Sequence, residues 1–426
     1  MSHSSPSTRN SKWALLPGFG SMRLRAGLAI PVAVVGIGSG LIGAAYLAVL
    51  RFVTHWIGPK HHPVMTQAVI MVSVGLAVTL ITKWLGDSGN VELLVDNIHV
   101  LGGAEDLRQV RPLIPTSLLC VGAGGAMGPE APLVQASGSF GTWVAEWFDL
   151  DAHDMRTLTI TGMAAGFSVL FGAPIGAALF ALEILHKRGL QYYEALVPSL
   201  VGALIGYALN FAVTGLGLVP VWKLPDVGKV AGTDLLWGVG CGVLGAIGAL
   251  AFTAAVQVSH RLIARVPPSA LPVGGGVLLA LLFWWSPFAL TNGELQVEAI
   301  AVGTMTAGAL AVVIAAKFVA VIVTISGRWK GGFIIPLFFI GIVAGELIHR
   351  LIPTTNTTVL MVSLAVALCV GVTKTPLGST LVVTEMAGLA LLPMALTAAV
   401  IALVFTSHAT VIETQRARTP VPHGER

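Results

Sequence analysis

Charge is scarce in this chain. Only 10% of the 426 residues are charged, against 55% apolar, and the mean hydropathy is +0.85. So little charge cannot cover a water-exposed surface of this size, which excludes a soluble globular protein and makes the lipid bilayer its solvent. Cysteine is nearly as rare. Cys120, Cys241 and Cys369 sit far apart in apolar runs without metal-ligand spacing, so neither a disulfide framework nor a metal site is expected, only buried small side chains. No cofactor is expected either. The pI near 9.1 is accounted for by the basic flanks of the apolar region, and nothing in it suggests nucleic acid as a partner.

Those flanks set the orientation. Arg9, Lys12, Arg23 and Arg25 precede the first apolar run, and Arg416, Arg418 and Arg426 follow the last. By the positive-inside tendency both termini are expected in the cytoplasm, with an even number of crossings of the cell membrane. The first apolar run, 26–53, is too long for the core of a signal peptide, so no cleaved leader is expected. Runs of about 20 apolar residues, enough to span a bilayer, lie near 26–53, 64–85, 192–213, 233–264, 306–325 and 389–411. Shorter pieces bounded by Gly or Pro lie near 112–126, 132–148, 157–171, 175–186, 333–350, 356–372 and 376–387. These read as half-helices that meet inside the membrane. The one polar connector in the middle is 214–232, which divides the chain into a cytoplasmic tail (1–25), a first membrane repeat (26–213), the connector, a second repeat (233–411) and a second tail (412–426).

What is abundant is glycine, 50 residues, and part of it repeats. Gly128, Pro132 and Gly141 recur as Gly332, Pro336 and Gly345, an offset of 204. Pro174, Gly176, Leu179 and Glu183 recur as Pro376, Gly378, Leu381 and Glu385, an offset of 202. Gly/Pro-broken apolar segments at corresponding places in two halves point to a transporter built from inverted repeats, with its substrate site near the midplane. An all-α, multi-pass membrane protein is the expected fold.

Three of the breaks share a chemical design. Asp87-Ser88-Gly89-Asn90-Val91-Glu92, Gly128-Pro129-Glu130-Ala131-Pro132 and Gly331-Gly332-Phe333-Ile334-Ile335-Pro336 each place Gly or Pro just ahead of an apolar helix. A helix N-terminus offers unpaired N–H donors and roughly half a positive charge. Several converging at mid-bilayer make an anion site without Lys or Arg, and the weakness of such a site permits turnover. Any one of these motifs alone is equally a helix cap or a packing glycine.

In their order and spacing these segments resemble the CLC chloride channels and proton/chloride exchangers, over most of residues 30–415. Val134-Gln135, the run from Thr161 to Gly166 through Ala173-Pro174 to Glu183, and Thr375-Pro376-Leu377 through Glu385-Met386 add to the likeness. The resemblance implies a dimer with one anion pathway per subunit, and a transport protein rather than an enzyme. It implies Ser88 as a hydroxyl donor to the anion, Gly89, Gly128, Ala131, Phe333 and Ile334 as its backbone surroundings, and Glu130 as a gate. The carboxylate takes the anion's own place until protonation neutralises it and lets it swing away.

Two departures qualify the function. Ile412 stands where the family offers a tyrosine hydroxyl, and Ile184 where many exchangers carry an internal proton-handling Glu. Glu183, next to it, either relays protons or, given its repeat-related partner Glu385, serves a helix end. The expected activity is therefore chloride transport that is channel-like or loosely coupled to protons, with a tightly coupled proton/chloride antiporter as the alternative. Gly86-Asp87-Ser88-Gly89 also fits the nucleophile loop of an intramembrane serine protease, but that chemistry needs a membrane-embedded His, and the histidines lie at segment ends. A cation or neutral-solute transporter would want an Asp/Glu-lined path, which the sequence barely provides. Lys317, alone in an apolar run, is expected to snorkel or to be paired inside the protein.

Overall fold

Proline suits the first turn of a helix, and a residue in the left-handed region ends one; several helices of this chain start or stop at such marks, although Pro112 and Pro115 lie inside one. The computed structural model describes residues 26–86, 98–99, 103, 107–186, 192–214, 222–228, 230–302, 305–409, 411–412 and 415. Ser88 and Gly89 lie outside them. Among the described residues there are fifteen α-helices and no named strand.

The first half contains α1 (Ala29–Ile57), α2 (Val64–Leu85), α3 (Leu107–Gly122), α4 (Glu130–Trp147), α5 (Ala152–Phe171), α6 (Pro174–Glu183) and α7 (Leu196–Thr214). The second contains α8 (Asp234–Ile263), α9 (Leu271–Trp285), the short α10 (Val297–Ala301), α11 (Ala307–Ser326), α12 (Ile334–Leu351), α13 (Thr357–Thr373), α14 (Pro376–Ala387) and α15 (Leu392–Thr406). The series match piece by piece. α4 and α12 have 18 residues each, and α6 and α14 both open on a proline. The cap before each of those prolines follows a left-handed residue, Gly172 (φ 64°) in one half and Lys374 (φ 63°) in the other. Packing repeats as well: α4 lies on α5 as α12 lies on α13, and α1 covers α5 and α7 as α8 covers α13 and α15. The result is two inverted repeats of tilted and broken helices.

Among the described residues, seven helical stretches are long and apolar enough to cross a membrane. Six form the rim, with less than half of their most apolar window buried, whereas the window of α12 is 67% buried. Residues 333–350, expected as a short broken piece, are thus long enough to span but lie inside the protein. α9 has no counterpart among the segments expected from the sequence, because Pro272 and the run Gly274–Gly276 disguise it. Threonines carried into the apolar interior return their hydroxyls to the carbonyl four residues back, as Thr161, Thr253, Thr324 and Thr406 do at 2.6–2.8 Å, so their burial leaves no orphaned donor. Lys317 is 0% exposed, and its Nζ donates to the carbonyls of Leu290 (2.7 Å) and Thr291 (2.8 Å) and to Gln296 Oε1 (3.3 Å). It is paired inside the protein.

The halves meet where α6 crosses α14 and where α2 packs on α9. At the first crossing a Cβ on Gly176 would lie 2.3 Å from the Val382 nitrogen, and one on Gly378 would lie 2.4 Å from Phe180 Cα. Only glycine allows backbones to approach this closely. Each half also caps the other. Glu183, ending α6, accepts the N–H groups of Leu377 (3.2 Å) and Gly378 (2.7 Å) at the start of α14, and Glu385 accepts that of Gly176 (3.3 Å) at the start of α6.

Candidate anion site

Both long central helices, α4 and α12, begin at one point between the halves. Two residues before each helix the backbones pair: Gly128 N–H donates to Gly332 O (2.8 Å) and Gly332 N–H to Gly128 O (2.7 Å), an isolated antiparallel bridge. The bridge brings the two N-termini together, and with them the first-turn N–H groups that no carbonyl of their own helix can satisfy.

Glu130 is the first residue of α4 and is 0% exposed. Its side chain crosses the junction, where Oε1 accepts the Ile335 N–H of α12 at 2.6 Å. Oε2 is buried without a hydrogen-bond partner. It lies over the paired glycines, and a Cβ on Gly128 would stand 2.2 Å from it and one on Gly332 2.6 Å. The carboxyl group is therefore held at a helix N-terminus, where an anion is favoured, in a glycine-lined seat. A free anion of small size could take the same seat if the carboxylate left it.

Of the other residues named from the sequence, Gly128 and Ala131 flank Glu130, Phe333 is the residue before α12, and Ile334 is its first. The amide that meets the carboxylate belongs to Ile335, one residue further on. All first-turn N–H groups of a helix are equally unpaired, so the helix end is legible in the sequence but the register is not. Ile412 is 2% exposed and packed in the apolar core, so its position offers no hydroxyl.

Glu183 is brought to α14 rather than to Glu130, and each of its oxygens accepts an amide N–H there. Ile184 lends only its carbonyl, which accepts Gln415 Nε2 at 2.9 Å; the same amide donates to Thr373 O at 2.8 Å. Gln415 thus ties the chain end to both halves, and no local feature of the sequence foretold it. A closed ring of buried hydroxyls and a thiol was also missed. Thr373 Oγ1 bonds Thr375 Oγ1 (2.7 Å), Thr375 bonds Ser379 Oγ (2.7 Å), and Cys369 Sγ lies 3.5 Å from Ser379 and 3.7 Å from Thr373. The i, i+4 spacing of Cys369 with Thr373 and of Thr375 with Ser379 is its only trace in the sequence.

This geometry agrees with comparisons to known proteins. The chain is 28% identical over 401 residues to a "Chloride/fluoride channel protein" of Pseudomonas syringae pv. tomato, covering 90% of this chain and 84% of that one. It is 26% identical over 339 residues to the "H(+)/Cl(-) exchange transporter ClcA" of Klebsiella pneumoniae subsp. pneumoniae, covering 74% and 70%. Two solved structures share the fold. A CLC-type fluoride/proton antiporter superposes with a TM-score of 0.79 at 21% identity, covering 92% of this chain and 98% of its own. A slow cyanobacterial Cl-/H+ antiporter superposes with a TM-score of 0.76 at 20% identity, covering 91% and 96%. With the family profile matched across residues 102–407, the broken helices, the inverted halves and the shared helix junction have one origin: the chain belongs to the voltage gated chloride channel family.

Proposed function

We propose that the protein carries chloride or a similar small anion across the cell membrane, with Glu130 as the gate of one pathway in each subunit of a homodimer and both termini in the cytoplasm. The observation that carries this reading is the Glu130 carboxylate seated on the Ile335 amide at the start of α12. In that seat it competes with the transported anion. Protonation removes its charge and with it the attraction to the helix end, so the side chain leaves and the anion enters. Flux accordingly rises as pH falls.

Coupling to protons is loose on this reading. Ile184 binds no proton, Ile412 offers no hydroxyl to hold the anion while the gate moves, and Glu183 is occupied by two amides. The test is proton movement during chloride efflux from weakly buffered liposomes. Little or no uphill proton transport is expected; robust uphill transport would establish the tightly coupled antiporter instead. In that event, loss of proton transport in Glu183→Gln would identify the residue that delivers protons.

The seat itself is tested by Gly128→Ala. The three atoms nearest a methyl group there all belong to the far end of the Glu130 side chain, with Oε2 at 2.2 Å and Oε1 at 2.8 Å. The carboxylate is displaced while the fold stands, so anion flux at neutral pH is expected to rise several-fold over the wild type. Unchanged flux in a correctly assembled variant means that the seat is not the closed gate.

Selectivity is assigned to Ser88. Ser88→Ala is expected to change the permeability of chloride relative to nitrate in bi-ionic potential measurements, because one donor is lost while the helix-end amides remain. Fluoride belongs in the same series, since relatives carry it in their names. An unchanged order would place Ser88 outside the selectivity site.

A further inference from the structure

The turn joining α1 to α2 carries three histidines that no part of the anion pathway uses. His55 lies in the last turn of α1 and His61 ends the 3-10 turn Pro59–His61. Both are exposed, and among the described residues neither ring has a hydrogen-bond partner in the protein. Their ring centres are 5.3 Å apart. Two imidazoles bonded to one ion at about 2.0–2.1 Å with a tetrahedral angle between the bonds bring their ring centres to about 5 Å. The rings, inclined at 61°, thus stand at the centre-to-centre separation of two imidazoles that share one ion. His62 is different, because its Nε2 already faces the Trp56 carbonyl at 2.8 Å. Trp56, 63% exposed beside His55, marks the level where the apolar helix surface meets water, so an ion can reach the pair.

The same turn backs the segment leading to Glu130. Gln67 Nε2, at the start of α2, donates to Ile57 O (3.1 Å) and across to Ala123 O (2.7 Å). A Cβ on Gly124 would stand 3.0 Å from Pro59 Cδ, so Pro59 rests directly on that residue. From Gly124 (φ 96°) the chain runs five residues to Pro129 and the start of α4. Whatever stiffens the α1–α2 turn also stiffens this approach.

We propose that His55 and His61 form a site for a divalent transition-metal ion that prefers imidazole nitrogen, Zn2+ or Ni2+, and that the bound ion staples the turn and slows the movement of the Glu130 segment. The flux half of this inference rests on the anion-transport reading, whereas the binding half stands without it.

Zinc titration of the detergent-purified protein by calorimetry should show one ion per chain. Binding should vanish in His55→Ala and in His61→Ala and persist in His62→Ala. With zinc on both faces of proteoliposomes, the wild type should lose most of its chloride flux and regain it on adding EDTA, while His61→Ala keeps its flux in zinc. If His61→Ala fails to assemble, His61→Gln makes the same test. Undiminished binding in the His55→Ala/His61→Ala double variant overturns the site. Unchanged wild-type flux with the site filled overturns the staple. An absence of any chloride flux, with histidine-dependent zinc binding intact, would instead sink the transport reading and leave the site standing.

Discussion

Glu130→Gln is expected to give an anion flux that is high at neutral pH and nearly flat across the acidic range, where the wild type rises steeply. The substitution keeps the shape of the side chain and removes its charge. Attraction between a carboxylate and a partly buried helix N-terminus reaches about 2 kcal/mol, a factor of about 30 in how often the seat on the Ile335 amide is filled by the side chain. With that attraction gone, the transported anion wins the seat at every pH. No proton is needed to release the gate, so the pH dependence goes with it. The sign follows from the proposed gating role: acid is expected to open the wild type by making Glu130 resemble glutamine. Chloride efflux from liposomes at a series of pH values reads the result, and a variant that keeps the wild-type profile would remove Glu130 from the gating role.

Gly378→Ala is expected to destroy the assembled protein rather than to alter its transport. The added methyl would lie 2.4 Å from Phe180 Cα and 2.5 Å from Phe180 N, backbone atoms in the middle of α6. Overpacking a tight core by a methylene commonly costs about 1–3 kcal/mol when side chains can yield. Here none of the colliding backbone can yield without separating the two halves, so the cost lies above that range. Separation would also break the Gly378 N–H bond to Glu183. Size-exclusion profiles and thermal melting in detergent measure this. A variant that elutes and melts like the wild type would show that the α6–α14 contact does not hold the halves together. Gly128→Ala is the control, since its methyl meets a mobile carboxylate.

How much of this could be read beforehand depended on how locally each feature is encoded. Broken helices need Gly or Pro at each break, so the repeat from Gly128 to Gly345 and from Pro174 to Glu385 was visible as spacing. Glu130 was visible because a carboxylate in an apolar segment is costly and so conspicuous. The pairing of Glu183 with Glu385 is legible as a repeat, and in the structure the two accept the amides of Gly378 and Gly176. What escaped is encoded at a distance. Nothing near Gln415 announces carbonyls at Ile184 and Thr373, and the hydroxyl ring at Thr375 is assembled by the turn between α13 and α14. The helix α9 escaped for the opposite reason: Pro272 and three successive glycines imitate a loop, yet they let it lie against α2, where a Cβ on Gly276 would stand 2.5 Å from Met71 O.

The exchange of caps between the halves also governs how the chain can be made. When residues 174–183 enter the membrane, the acceptor for the Gly176 N–H is Glu385, 209 positions away and still to be synthesised. The donors for Glu183 are equally late. Until then α6 waits in the bilayer with an uncapped beginning and an unpaired acid at its end, both costly in lipid. The amino-terminal half is thus an unfinished intermediate during translation, and it is completed when α14 arrives to close both ends at once.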